Sequence, residues 1–123
     1  MSLNVTVVKK DAGIFTVLPV GSIDSDTYTI LEEKLSSCVL PSTKVVVFDM
    51  NGVSYISSIG VGTIFKTKKK LEENNGTIVL TNLQPQIKKV FDIINALPAE
   101  SIVESVDELD EYLAQMQKKE IEK

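Results

Sequence analysis

Hydrophobic residues in the first half of the chain occur in short runs bounded by turn residues, a pattern that predicts β-strands. Three such runs lie at 3–10, 14–20 and 44–50. A three-residue connection that ends in Gly13 joins the first two runs, which predicts a hairpin. Pro19 cannot donate a backbone hydrogen bond and favours an edge strand or a strand end. The third run is the most apolar and predicts a central strand.

Later in the chain the hydrophobic residues recur at steps of three and four, which predicts helices. The predicted helices cover 27–37, 58–74, 84–95 and a last segment from about 105. Two further strands are predicted at 77–81 and 101–104, while 53–56 is assigned to the loop before the second helix. The pattern therefore predicts an α/β fold in which about four helices pack against a mixed sheet of four to five strands.

The length and composition fit a single domain. The chain has 123 residues, of which 43% are hydrophobic and 24% charged, and no low-complexity segment or linker interrupts it. We expect one domain over 1–123, with a core from about 3 to 113 and fraying at 118–123. The sequence shows no run of about 18 apolar residues and no signal-peptide features at its N-terminus. A cytoplasmic location without membrane insertion is therefore expected.

The composition also limits the chemistry. The chain contains no histidine, so Ser-His-Asp and Cys-His nucleophile systems are excluded and the commonest zinc ligand is missing. Its single cysteine, Cys38, cannot form an internal disulfide and has no metal-ligand spacing around it. The formal charge of −4 disfavours nucleic acid as the main partner. The sequence therefore predicts a protein that is not an enzyme and that binds no cofactor or metal.

The stretch 45–65 contains the candidate site. A buried strand that ends in Asp49 is followed by an Asn-Gly turn, a short segment, two serines and the second predicted helix. Ser57 and Ser58 directly precede the helical pattern, where an N-cap is expected. Free N–H groups and the positive end of the helix dipole stabilise negative charge there by about 0.3–1 kcal/mol. A phosphate on one of these serines would therefore be tolerated.

A nucleotide site is the competing interpretation of the glycines that follow. Gly60 and Gly62 match the first two glycines of a dinucleotide fingerprint, but Phe65 stands where the third belongs. The sequence also contains no P-loop. Small-ligand binding or catalysis is therefore disfavoured.

The order of the motifs resembles the STAS domain. The motifs are Gly21-Ser22-Ile23-Asp24, the strand that ends in Asp49, the segment Val53 to Gly62, then Gly76, Asn82-Leu83 and Val90-Phe91-Asp92. The resemblance extends from about Leu3 to Leu113. Within that family, the chain is most similar to the bacterial anti-anti-sigma factors, also called anti-sigma factor antagonists. The resemblance implies a single STAS-like domain that regulates transcription through protein–protein interaction.

In that family an Asp-Ser-Ser-Gly or Asp-Ser-Thr-Gly element begins the helix after the third strand, and its first hydroxyl residue is phosphorylated. The matching residues here are Ser57-Ser58-Ile59-Gly60, so the resemblance implies that Ser58 is the phosphoacceptor. Ser57 replaces the usual Asp, and Ile59 replaces the second hydroxyl residue. Asp24 matches the acid of the family's Gly-Glu-Leu-Asp element. The implied partner-binding residues are Asp24, Ser57, Ser58, Ile59, Gly60 and Gly62.

The resemblance further implies a switched binding module. Its partner would be an anti-sigma factor with serine kinase activity, bound through the surface around Ser58 and the following helix so that a sigma factor is released. Phosphate on Ser58 would end this binding by repulsion and desolvation, and a serine phosphatase would restore it. The alternative is an unswitched scaffold or sensor subunit of a signalling assembly, in which Ser58 only caps the helix. The serine at position 57 favours this alternative.

Overall fold

The computed structural model describes residues 2–96 and 106–122. In chain order the elements are β1 (Leu3–Asp11), β2 (Ile14–Ile23), α1 (Tyr28–Ser36), β3 (Val45–Asp49), β4 (Val53–Ile56), α2 (Ser58–Glu72), β5 (Thr77–Thr81), α3 (Pro85–Ala96) and α4 (Val106–Ile121). The predicted α/β class is confirmed, and residues 2–96 and 106–122 form four helices and a mixed five-stranded sheet. The strand expected at 101–104 lies outside the described residues.

The sheet has the order β1-β2-β3-β5, and β4 pairs with β2 in addition. Strands β1 and β2 are antiparallel, as the predicted hairpin requires, whereas the pairs β2–β3, β2–β4 and β3–β5 are parallel. The third strand therefore lies inside the sheet between β2 and β5, as its apolar sequence predicts.

Strand β2 is long enough to pair with two strands in succession along one side. Ile14–Val17 pairs with β3, and Gly21–Ile23 pairs with β4. Pro19 lies between these two segments, opposite Val5 of β1. The expectation of an edge strand or strand end at Pro19 was wrong. The missing N–H is tolerated inside the sheet because it falls where β2 changes partner on that side.

Strand β4 replaces what the sequence suggested was a loop. Val53 and Ile56 are both fully buried, while Ser54 between them is exposed. The assignment of 53–56 to a loop was wrong, because the buried Val53 and Ile56 do not follow the strict alternation by which a half-buried strand is recognised. Pairing with the second half of β2 supplies the hydrogen bonds that the local sequence could not indicate.

The core lies on one face of the sheet. Val17 and Phe48 are paired neighbours on this face and have no exposed surface, and the rings of Phe65 in α2 and Phe91 in α3 pack edge to face with their centroids 6.1 Å apart. The opposite face is more open, since Val20 remains 57% exposed. The molecule therefore has two layers, with helices packed against the more buried face of a twisted sheet.

The last helix continues through Ile121, into the segment 118–123 for which the sequence predicts fraying. Fraying there stays a prediction, as does the extent of the domain over 1–123. None of the described helices combines the length and apolar character needed to cross a membrane.

Candidate functional site

The candidate site forms where β2 and β4 end side by side. Ile23 is the register partner of Ile56, and the Ser57 N–H donates to the Ile23 carbonyl oxygen over 2.9 Å. Parallel strands have their carboxyl ends at the same edge of the sheet, so Asp24, which follows β2, is brought next to the serines that follow β4. The structure thus brings together the two motifs that lie more than thirty residues apart in sequence.

Ser57 is the N-cap of α2, and Ser58 is the first helical residue. The Ser57 backbone is extended, and its hydroxyl oxygen accepts a long hydrogen bond, 3.5 Å, from the Gly60 N–H. The helix is therefore capped by Ser57 and not by Ser58. This position leaves the Ser58 side chain free of the capping role that the unswitched alternative assigned to it.

The residues of the motif differ in exposure. Ser57 and Ser58 are 6% and 9% exposed, Gly60 is buried, Ile59 is half-buried and Gly62 is exposed. A Cβ atom on Gly60 would lie 2.8 Å from the Ile23 carbonyl oxygen and 2.8 Å from side-chain carbons of Ile23 and Ile56. Glycine at position 60 is therefore explained by the close approach of α2 to the ends of β2 and β4.

A carboxylate from the last helix lies at the start of α2. The Ser58 N–H donates to Oδ1 of Asp110 over 2.8 Å, across 52 residues of sequence. A carboxylate is favourable at this point because it accepts from an otherwise free N–H and meets the positive end of the helix dipole. Asp110 thus brings from α4 the kind of group that the family motif has at position 57, where this chain has Ser57.

Two glutamines close the outer edge of β4. The Gln117 side chain accepts from the Ile56 N–H over 3.0 Å and donates to the Ile56 carbonyl oxygen over 2.8 Å. Gln86 of α3 donates to the Ser54 carbonyl oxygen over 3.1 Å. Gln117 is 1% exposed and Gln86 5%. These side chains take the place of a neighbouring strand and fix the segment that leads into the site.

Asp24 organises the turn between β2 and α1. Its Oδ1 accepts from the Asp26 N–H over 2.9 Å and from the Thr27 hydroxyl over 3.2 Å. The Thr27 hydroxyl in turn accepts from the Asp24 N–H over 3.0 Å. Asp24 therefore has a structural role at this turn, one residue beyond the Ile23 carbonyl that binds Ser57.

The surroundings of the site change the pKa of Tyr55. Burial raises the pKa of its phenol, and the negative charges of Asp110 and then Asp24 raise the pKa further. Both carboxylates therefore act on the same neighbourhood beside Ser58.

Asp49 stabilises the turn that follows β3. Its Oδ1 accepts from the Asn51 N–H over 3.1 Å and from the Asn82 side-chain amide over 3.2 Å. Within the described ranges, no group of three His, Cys, Asp or Glu residues is placed to ligate a metal ion.

The sequence analysis named Ser57, Ser58 and Asp24 as candidate site residues, but it did not name Asp110 or Gln117, which bond to the same segment. A usable signal exists, because these two polar residues lie three positions before and four positions after Leu113, which is fully buried. Polar residues at such spacings share the buried face of a helix, and a buried polar group requires a partner. The sequence alone does not identify that partner.

The sequence matches the model of a known protein family over most of its length. The family model described as STAS domain matches residues 6–109. The chain belongs to the STAS domain family. Its resemblance to this family, predicted from the motif order, is confirmed.

Comparisons with individual proteins agree with this assignment. BtrV of Bordetella bronchiseptica is 33% identical to this STAS chain over 73 residues, 59% of the chain and 63% of BtrV, so less than two thirds of BtrV is matched. The anti-sigma-B factor antagonist of Staphylococcus aureus (strain NCTC 8325 / PS 47) is 28% identical over 93 residues, 76% of this chain and 85% of that protein.

Among solved structures, an anti-sigma factor antagonist from Mycobacterium paratuberculosis superposes with a TM-score of 0.67 at 22% identity. The superposition covers 85% of this chain and 94% of that one. At this level of identity the likeness shows the STAS fold.

Proposed function

We propose that this STAS chain is an anti-sigma factor antagonist that acts in the cytoplasm. Its surface around Ser58 and the exposed side of α2 binds an anti-sigma factor, which then releases its sigma factor for transcription. The proposal is supported by the name of the S. aureus relative, which the chain matches over 76% of its own length. It is also supported by Ser58 at the first position of α2 within the family's motif order. The chain acts by binding and catalyses no reaction.

Phosphorylation of Ser58 switches this binding off. The anti-sigma factor is itself the serine kinase: it transfers the γ-phosphoryl group of ATP to Oγ of Ser58, and ADP and the hydroxyl proton leave. A serine phosphatase hydrolyses the ester and restores the hydroxyl. The phosphate adds about −1.5 to −2 charges at a contact surface, which breaks the contact through desolvation and repulsion. A tenfold loss of affinity corresponds to about 1.4 kcal/mol.

Parallel affinity capture tests the proposal. Wild-type chain and a chain carrying phosphoserine at position 58 are used as baits in extract of the source cell, and captured proteins are identified by mass. We expect wild type to retain a protein with an ATP-binding kinase fold, and the phosphorylated bait to lose it by at least tenfold. Addition of wild-type chain to the isolated complex of that protein with a sigma factor should release the sigma factor.

The controls separate charge from loss of the hydroxyl. Ser58→Ala keeps the surface uncharged and should retain the partner, while Ser57→Ala removes the neighbouring hydroxyl and leaves the acceptor in place. Equal capture by the wild-type and phosphorylated baits would refute the switch.

Two observations favour the second candidate function, an unswitched scaffold. Ser58 is only 9% exposed, and its N–H already bonds to the carboxylate of Asp110. In that case wild type, Ser58→Ala and the phosphoserine chain would capture the same assembly, and no phosphate would be found on the chain isolated from its cell.

A further inference from the structure

The last helix is attached to the phosphoacceptor segment at two points. Asp110, near its start, bonds to the Ser58 N–H, and Gln117, two turns later, bonds to both backbone groups of Ile56. Leu113 lies between them and is fully buried. One face of α4 therefore runs along the three residues from Ile56 to Ser58.

The two attachments differ in their response to charge at Ser58. Gln117 is neutral and satisfies two backbone groups, so a nearby phosphate leaves its hydrogen bonds intact. Asp110 is a carboxylate that accepts from the N–H of the same residue that would carry the phosphate. The phosphate of a phosphoserine at the first position of a helix accepts hydrogen bonds from the free backbone N–H groups at that end. Carboxylate and phosphate would then compete for one donor while repelling each other.

We propose that the start of α4 is a conformational switch controlled by Ser58, an inference that rests on the proposed phosphorylation. Phosphate on Ser58 displaces the Asp110 carboxylate from the Ser58 N–H, and the first two turns of α4 move away from α2. The second half of the helix stays attached through Gln117 and the buried Leu113. The binding surface therefore changes shape as well as charge when Ser58 is modified.

The same contact controls access to the acceptor. Ser58 is 9% exposed with Asp110 in place, so little of this residue is accessible in the closed arrangement. An arrangement in which the start of α4 has moved away exposes it. Movement of the start of α4 and phosphorylation of Ser58 are therefore coupled. A change that moves the start of α4 away favours phosphorylation, and phosphorylation favours the arrangement in which it has moved away.

Hydrogen exchange of the full chain tests this inference. Phosphoserine is installed at position 58 during translation with an expanded genetic code, so that no kinase is needed. Amides 110–114 are the probes, because in the helix they donate to the carbonyl oxygens of residues 106–110, the part of α4 that would move. Loss of a hydrogen bond to a charged group should speed their exchange roughly tenfold relative to the unmodified chain. Amides 117–121 should change little.

Variants of α4 assign the effect to one carboxylate. Asp110→Asn keeps an oxygen that accepts from the Ser58 N–H but removes the charge, so phosphoserine should no longer speed exchange. Glu111→Gln removes one negative charge from an exposed side chain in the same turn and should leave the full acceleration. Asp110→Ser is a second neutral variant, used if the asparagine variant does not fold.

Two results would overturn the inference: unchanged exchange at 110–114 in the phosphorylated chain, or the same acceleration in Asp110→Asn. Neither result depends on partner binding. Failure of the proposed function is seen separately, as equal capture of the partner by the wild-type and phosphorylated baits.

Discussion

Gly60 and Gly62 lie two residues apart in α2 and have opposite surroundings. A Cβ on Gly60 would meet the backbone and side chain of Ile23 and the side chain of Ile56 at 2.8 Å, whereas a Cβ on Gly62 would meet nothing within 4 Å. A glycine inside a helix lowers stability unless close packing requires it. At the scale of the single residue, the two glycines of the motif therefore have different physical reasons for their presence.

We expect Gly60→Ala and Gly62→Ala to change stability in opposite directions. The first forces α2 away from the strand ends and should cost about 1–3 kcal/mol through overpacking. The second should stabilise the helix by about 0.5–1 kcal/mol. Urea unfolding followed by circular dichroism measures both changes. A neutral Gly60→Ala would show that the start of α2 is loosely packed.

Tyr55 predicts a dependence of stability on high pH. Its pKa is raised in the folded chain by burial, then by Asp110 and Asp24, so folding favours the neutral phenol. Its contribution is fully present below the unfolded pKa of about 10 and is lost as pH rises from there through the raised folded pKa. Tyr55→Phe should remove this loss.

The measurement compares the free energy of unfolding of wild type and Tyr55→Phe between pH 8 and about 11. Wild type should lose stability relative to the variant above pH 10, while Tyr112→Phe, at a side chain 56% exposed, is the matched control. Parallel curves for wild type and Tyr55→Phe would contradict the prediction.

The sequence predicted the residues of the serine motif, but it did not predict their supports. Ser58 and Asp24 could be located because the family resemblance places them, and the helix start could be located because hydroxyl residues precede an apolar period. Asp110 could not be placed at Ser58, because 52 residues separate the two and no local pattern encodes that contact.

At the scale of the element, β4 and α4 are joined by hydrogen bonds between the Gln117 side chain and the backbone of Ile56. Strand β4 has only four residues and pairs with β2 along one side. On its other side, Gln117 of α4 and Gln86 of α3 supply the hydrogen bonds. A local hydrophobic pattern could not predict this strand, because its second edge is completed by side chains from distant helices.

Replacing Gln117 should test how far β4 relies on α4. Gln117→Ala leaves the buried N–H and carbonyl oxygen of Ile56 without partners, at a cost of about 1–3 kcal/mol for each unsatisfied group. Gln115→Ala, at an exposed position of the same helix, should stay within about 0.5 kcal/mol of wild type. Denaturant unfolding gives both values, and equal stability of the two variants would argue against the support of β4 by Gln117.

At the scale of the whole molecule, the fold class followed from periodicity, whereas the path of the sheet did not. Short apolar runs predicted the other four described strands, and helical periodicity predicted the four described helices. These patterns could not show that β2 pairs first with β3 and then with β4. They also could not show that Pro19 lies between the two paired segments of β2. Those features depend on pairing between distant segments, which local sequence does not encode.

The closed edge of β4 also affects how the chain behaves among its own copies. An open strand edge is a template on which a second chain can add a strand, and such growth leads to aggregation. Here the Ser54 carbonyl and both backbone groups of Ile56 are already bonded to glutamine side chains. The strand that leads into Ser58 is thereby kept from pairing between molecules, so the site can be presented to a partner without exposing a strand edge beside it.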